Sequence, residues 1–85
     1  MSEADKMFKK LKFEKEDKLD SFGQHKWGET FYNKNNLAEI TFDIEDKEIC
    51  VYCRETDEAV YFDIKLLQAI NEKVKELGWL NERWS

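Results

Sequence analysis

The chain contains no proline and only three glycines in 85 residues. Long irregular loops are therefore not expected, because the residues that punctuate them are missing. Cysteine occurs twice and histidine once. That supply is too small for a four-ligand zinc site built from cysteine and histidine. No window approaches the ~20 consecutive apolar residues of a membrane span, and the first twelve residues are polar and charged rather than an apolar leader. No Asn-x-Ser/Thr acceptor is present. These absences lead us to expect a cytoplasmic protein in a reducing compartment, with no membrane partner and no cofactor.

What is present is a folded, charge-rich domain. Hydrophobic residues make up 41% and charged residues 39%, and the aromatic share of 14% argues against disorder. A chain of this length makes one domain, residues 1–85, with a stability of roughly 4–13 kcal/mol at ordinary per-residue values. The net charge of −5 is unevenly placed. Residues 1–36 hold eight lysines against seven acids (+1), and residues 37–85 hold six basic residues against twelve acids (−6). Residues 39–63 alone carry nine acids against Lys47 and Arg54 (−7). Such a region repels a polyanion and attracts a basic protein surface.

Ser2 is placed to cap a first helix, with Asp5 three residues on and Ala4, Met7, Phe8 and Leu11 as its apolar stripe. Lys6, Lys9 and Lys10 lie on its other face. Residues 14–24 read as a polar connection with room for a short strand. Residues 26–32, KWGETFY, are aromatic-rich, and NKNN after them signals a turn, since Asn tolerates positive φ. Residues 37–44 alternate strictly, with Ala38, Ile40, Phe42 and Ile44 on one face and Glu39, Thr41 and Asp43 on the other. Residues 48–54 form the next strand and residues 59–62 a short further one. Asp63 caps a last helix whose stripe is Leu66, Leu67, Ile70, Val74 and Leu77, with Gly78 as its C′ residue. Lys73 is expected to point to solvent. The fold class is α+β: an antiparallel sheet of three to four strands with both helices on one face, the last helix being the main cover. The tail from Trp79 to Trp84 is expected to fold back onto the domain.

The ICVYC segment raises the question of a metal or redox site, because Cys50 and Cys53 are spaced C-x-x-C. Residues three apart on a strand point to opposite faces, so the pair cannot hold one metal. Two strand thiols, one buried and one half-exposed, are expected. His25 has no serine, cysteine or carboxylate at a recognisable spacing, so a small enzyme around it is the least favoured reading. DIEDKEICVYCRE lacks the glycine and terminal glutamate of a calcium loop. Trp27, Phe31 and Tyr32 could form a stacking platform for single-stranded nucleic acid, served by Lys6, Lys9, Lys10, Lys12 and Lys34, but the adjoining strands are acidic and core or cross-strand packing is the favoured reading.

Both ends of the chain carry longer recognisable segments. ADKMFKKLKFEK (residues 4–15) and LLQAINEKVKELGWL (residues 66–80) resemble short proteins encoded by phages and prophages of low-GC Gram-positive bacteria. In that group an MF..LG[YF] segment precedes polar strands and an ELQAIN.K..ELGW helix. The likeness spans about a third of the chain and departs at Lys12, where glycine is usual, and at Leu66, where an acid is usual. It implies a mobile-element accessory protein in a bacterial cytoplasm and carries no site residues. The leading expectation is a non-enzymatic interaction protein, monomeric or weakly dimeric. It would meet an unknown basic protein through an acidic sheet edge of Glu39, Asp43, Glu45, Asp46, Glu48, Glu55, Asp57 and Glu58. The alternative is a nucleic-acid-binding module that uses the first helix and Trp27.

Overall fold

The structure, a computed structural model, describes residues 2–53 and 63–79. Its elements are α1 (Glu3–Lys10), β1 (Phe13–Leu19), β2 (Lys26–Asn33), β3 (Ala38–Asp43), β4 (Glu48–Cys53) and α2 (Ile64–Glu76). The strands form one antiparallel meander in the order β1-β2-β3-β4. The fold is α+β, with an N-terminal and a C-terminal helix beside a four-stranded sheet. The strand expected at residues 59–62 lies outside the described residues. The fourth described strand is instead β1, the segment read as a polar connection. Its charges fall on both faces, so it shows no apolar alternation, yet it pairs with β2 over its whole length.

Register gives each face of the sheet its composition, because directly paired residues share a face. Lys15, Phe31, Ile40 and Val51 make one row across all four strands, and Asp17, Glu29, Phe42 and Ile49 make the next. This is the helix-covered face. Its β3 members Ala38, Ile40 and Phe42 are buried, as the alternation predicts. At the β1 side the same rows carry Lys15, Asp17 and Glu29, so the layer between helices and sheet is partly ionic.

The two helices share the cover. From α1, Phe8 stacks on Phe31 at 4.1 Å and meets Phe13 and Phe42 edge-on at 5.7 and 6.1 Å. From α2, Leu66, Ala69 and Ile70 close the core. The predicted α2 stripe needs two corrections. Leu67 is 45% exposed, and Lys73 is fully buried. The buried positions 66, 69, 70 and 73 follow the i, i+3, i+4, i+7 rule more closely than the stripe that includes Leu67.

Local signals explain most boundaries. Ser2 and Asp63 cap their helices by accepting from Asp5 N at 3.1 Å and Leu66 N at 2.8 Å. Gly78 follows the C-cap Leu77 with φ +77°. Lys12 leaves α1 at φ +71°, the left-handed conformation that glycine adopts without strain. In the β2–β3 turn the positive φ falls on Leu37 rather than on an asparagine. The asparagines act through side chains: Asn33 Oδ1 accepts from Asn35 N at 2.8 Å, and Asn36 Oδ1 from Ala38 N at 3.0 Å. No helix among the described residues is long and apolar enough to cross a membrane.

Candidate functional site

The acids predicted to form one sheet edge separate in the fold. Asp43, Glu45, Asp46 and Glu48 gather at the β3–β4 turn. Asp43 Oδ1 accepts from Asp46 N at 3.0 Å and shapes the turn. Glu45 pairs with His25 Nε2. Asp46 and Glu48 are exposed. Glu39 does not belong to this surface, because it is only 4% exposed. It sits on the inner strand β3, with Tyr32 opposite it on β2 and Tyr52 opposite it on β4. Glu55, Asp57 and Glu58 lie outside the described residues.

The densest polar constellation is one that residue type alone did not suggest. Lys73 Nζ lies 2.9 Å from Asp5 Oδ1 and 2.9 Å from Glu29 Oε1, and it also pairs with Glu76 one turn along α2. The contact to Glu29 is a hydrogen bond, whereas Asp5 Oδ1 is ion-paired without hydrogen-bond alignment. Lys15 Nζ reaches Asp5 Oδ2 at 3.0 Å and Glu29 Oε1 at 3.1 Å. Lys26 extends the network, 3.2 Å from Glu29 Oε2 and 3.2 Å from Asp17. One ionic cluster thus ties α1, β1, β2 and α2 together. The Lys73 ammonium also stands 5.4 Å from the Phe31 ring centroid, on the electron-rich face that favours a cation.

Burial alone would push the Lys73 ammonium toward its neutral form. Its close contacts with the Glu76, Asp5 and Glu29 carboxylates outweigh that and hold its pKa above the ordinary lysine value. Burial likewise works against the charged forms of Asp5 and Glu29, yet the adjacent Lys73 and Lys15 ammonium groups hold both carboxyls below their usual range. The ligand atoms of Asp5, Glu29 and Glu76 lie within 4.8 Å of one another, spacing that suits a cation, and the tethered ammonium sits among them. The Lys73 ammonium is thus held by carboxylates from α1, β2 and its own helix. The cluster is built to hold the layers together.

The remaining sequence candidates do not converge. His25 is exposed on the β1–β2 loop, with Glu45 as its partner. Cys50 and Cys53 are thiols, one exposed and one half-buried, so both are more exposed than expected. Register places Cys50 beside Thr41 and Cys53 beside Ala38, on opposite faces. The stacking platform does not assemble. Phe31 is buried in the core, its neighbour Tyr32 faces the other side, and Trp27 is half-buried with its indole N–H donating to Leu19 O at 3.1 Å. Lys6, Lys9, Lys10 and Lys12 are exposed. Between α1 and β1 runs a groove of about 290 Å³ with Phe13 and Phe31 in its lining. Three of its four charged lining groups are committed: Asp5 to Lys15 and Lys73, Lys15 also to Glu29, and Glu14 to Lys34 at 3.4 Å.

No protein-family model, curated protein or solved structure matches the chain.

Proposed function

We propose that this protein is a small non-enzymatic interaction module whose β3–β4 end meets a basic protein surface. The observation that carries this reading is the division of charge within the fold. Asp5, Glu29, Lys15 and Lys73 are consumed in an internal cluster, while Asp46 and Glu48 project from an ordered turn into solvent. Exposed acids on a fixed backbone steer a cationic partner and set its orientation more than they set raw affinity. The resemblance of both chain ends to short phage-encoded proteins supports a bacterial cytoplasm as the setting and a mobile-element accessory role.

The test compares two classes of partner across a salt series. Lys/Arg-rich peptides on a biosensor surface should bind the protein, with affinity that falls as salt rises and falls further in an Asp46→Asn/Glu48→Gln variant. Single- and double-stranded DNA should give no gel shift at physiological salt. A salt-sensitive DNA shift abolished by neutralising Lys6, Lys9 and Lys10 would replace this reading with the nucleic-acid one.

A further inference from the structure

The loop between β1 and β2, residues 20–25, is organised around the Asp20 side chain. Its Oδ1 accepts from the backbone N–H of Phe22 at 3.1 Å and of Gln24 at 3.0 Å. Gly23 N donates to Asp20 O at 3.0 Å, and Asp20 N donates to His25 O at 2.8 Å, which closes the loop. The hydrogen bond from the Gln24 backbone leads the contacts that hold the Asp20 carboxyl below its usual range. This bracing presents an apolar side chain to water: Phe22 is 83% exposed at the loop tip, and Leu19 at the loop base is 48% exposed. Scattered exposed hydrophobics are ordinary on protein surfaces. A nearly bare phenyl ring on a closed, hydrogen-bonded loop is different, because the backbone beneath it is already ordered. An aromatic ring with two side-chain torsions on a fixed backbone loses little entropy when it docks.

The loop is joined to the acidic turn. His25 pairs with Glu45, and Ile44 N donates to Trp27 O at 2.9 Å. Phe22 therefore stands at the same end of the sheet as Asp43, Glu45, Asp46 and Glu48. Counting Asp20, that end holds five acids against Lys18, Lys26 and Lys47, and Lys18 and Lys26 are themselves paired with acids, Glu16 for the first and Asp17 and Glu29 for the second. We infer that Phe22 is the apolar anchor of the interaction surface, seated in a hydrophobic pocket that is ringed by Lys and Arg on a partner protein. The inference rests on the function proposed above and adds to it the residue that fixes affinity. The acidic surround selects the partner class. An anionic lipid surface and a nucleic acid both offer negative charge to this end and are repelled.

The experiment is selection of a random-peptide display library on the immobilised full chain, followed by affinity measurement of the enriched peptides against variants. The expected peptides combine Lys or Arg with apolar residues. They should lose more than about tenfold in affinity toward Phe22→Ala, while Asp46→Asn/Glu48→Gln mainly lowers the association rate and the salt slope. The melting temperature of Phe22→Ala should match that of the parent, because the residue is 83% exposed. Basic peptides that bind Phe22→Ala as well as the parent would overturn the anchor and leave the acidic surface standing. Enriched peptides without basic residues, or no enrichment, would overturn both.

Discussion

Replacing Lys73 with alanine removes the central cation of a buried cluster. The ammonium is fully buried, with Glu29 6% and Asp5 12% exposed at their side chains. Deleting one partner of a buried ion pair costs about 3–5 kcal/mol, because the opposing charge stays behind in a poorly solvated place. Lys15 remains about 3 Å from both carboxylates and offsets part of that loss, so the low end, about 3 kcal/mol, is expected. Against a domain stability of roughly 4–13 kcal/mol this is a large fraction. It corresponds to a fall in melting temperature of roughly 12–24 °C at the usual 4–8 °C per kcal/mol for a domain of this size. Urea melts with an unchanged slope would give the number directly. Lys73→Met keeps the apolar stem and drops only the charge, so it should cost nearly as much. Adding Glu29→Gln to Lys73→Met should cost less than the sum of the two single changes, since one of the two stranded carboxylates is gone. A loss below about 0.5 kcal/mol for Lys73→Ala, the value of an ordinary surface lysine, would refute the reasoning.

The same cluster sets a pH profile. Asp5 and Glu29 have folded-state pKa values below their ordinary 3.8 and 4.5, so their stabilisation is present above those values and is lost as pH falls through the folded-state ones. Lys73 is raised above 10.5, so its contribution is complete below that value and fades as pH rises through the folded-state one. Melting temperature against pH should fall in acid, and Glu29→Gln should make that acid arm shallower; an unchanged arm would contradict the assignment. Ile70→Ala, at a position 9% exposed beneath α2, should cost roughly 2–5 kcal/mol by cavity formation, read from a urea midpoint. Gly28→Ala would bring a Cβ to 2.8 Å from the Phe42 carbonyl oxygen. It should therefore destabilise by about 1–3 kcal/mol and speed amide exchange across the β2–β3 pairing. Lys12→Gly relieves a left-handed residue at φ +71° and should raise stability by about 0.5 kcal/mol, seen as a higher melting temperature.

Much of the fold is legible in the sequence because its signals are local. Ser2 and Asp63 read as caps, and Ala38, Ile40 and Phe42 alternate onto the core face. β1 is harder, since Phe13 is its single buried apolar residue and its partners lie on another strand. Lys73 shows the conflict most sharply. Its spacing from Leu66, Ala69 and Ile70 places it on the buried face, while its residue type argues for solvent. Spacing prevails because the neutralising partners arrive from α1 and from Glu29, 44 residues away in the chain. No local pattern announces such a pairing. The proposed interaction surface is half legible. The acids of the β3–β4 turn stand out in composition, but Glu39 is taken from them by its place on an inner strand. Phe22 reads as one aromatic in a polar loop until the Asp20 hydrogen bonds show how it is held.

The functional claim is that binding occurs at the end of the sheet where the β1–β2 loop and the β3–β4 turn meet. Titrating the isotope-labelled protein with a short peptide of lysines around one apolar residue, followed by backbone amide NMR, tests that most directly. Shifts concentrated at Leu19, Phe22, Gly23, Asp46 and Lys47, fading as salt rises, are the predicted result. Shifts centred instead on the groove between α1 and β1, around Phe13 and Glu14, or spread evenly over every exposed acid, would contradict it.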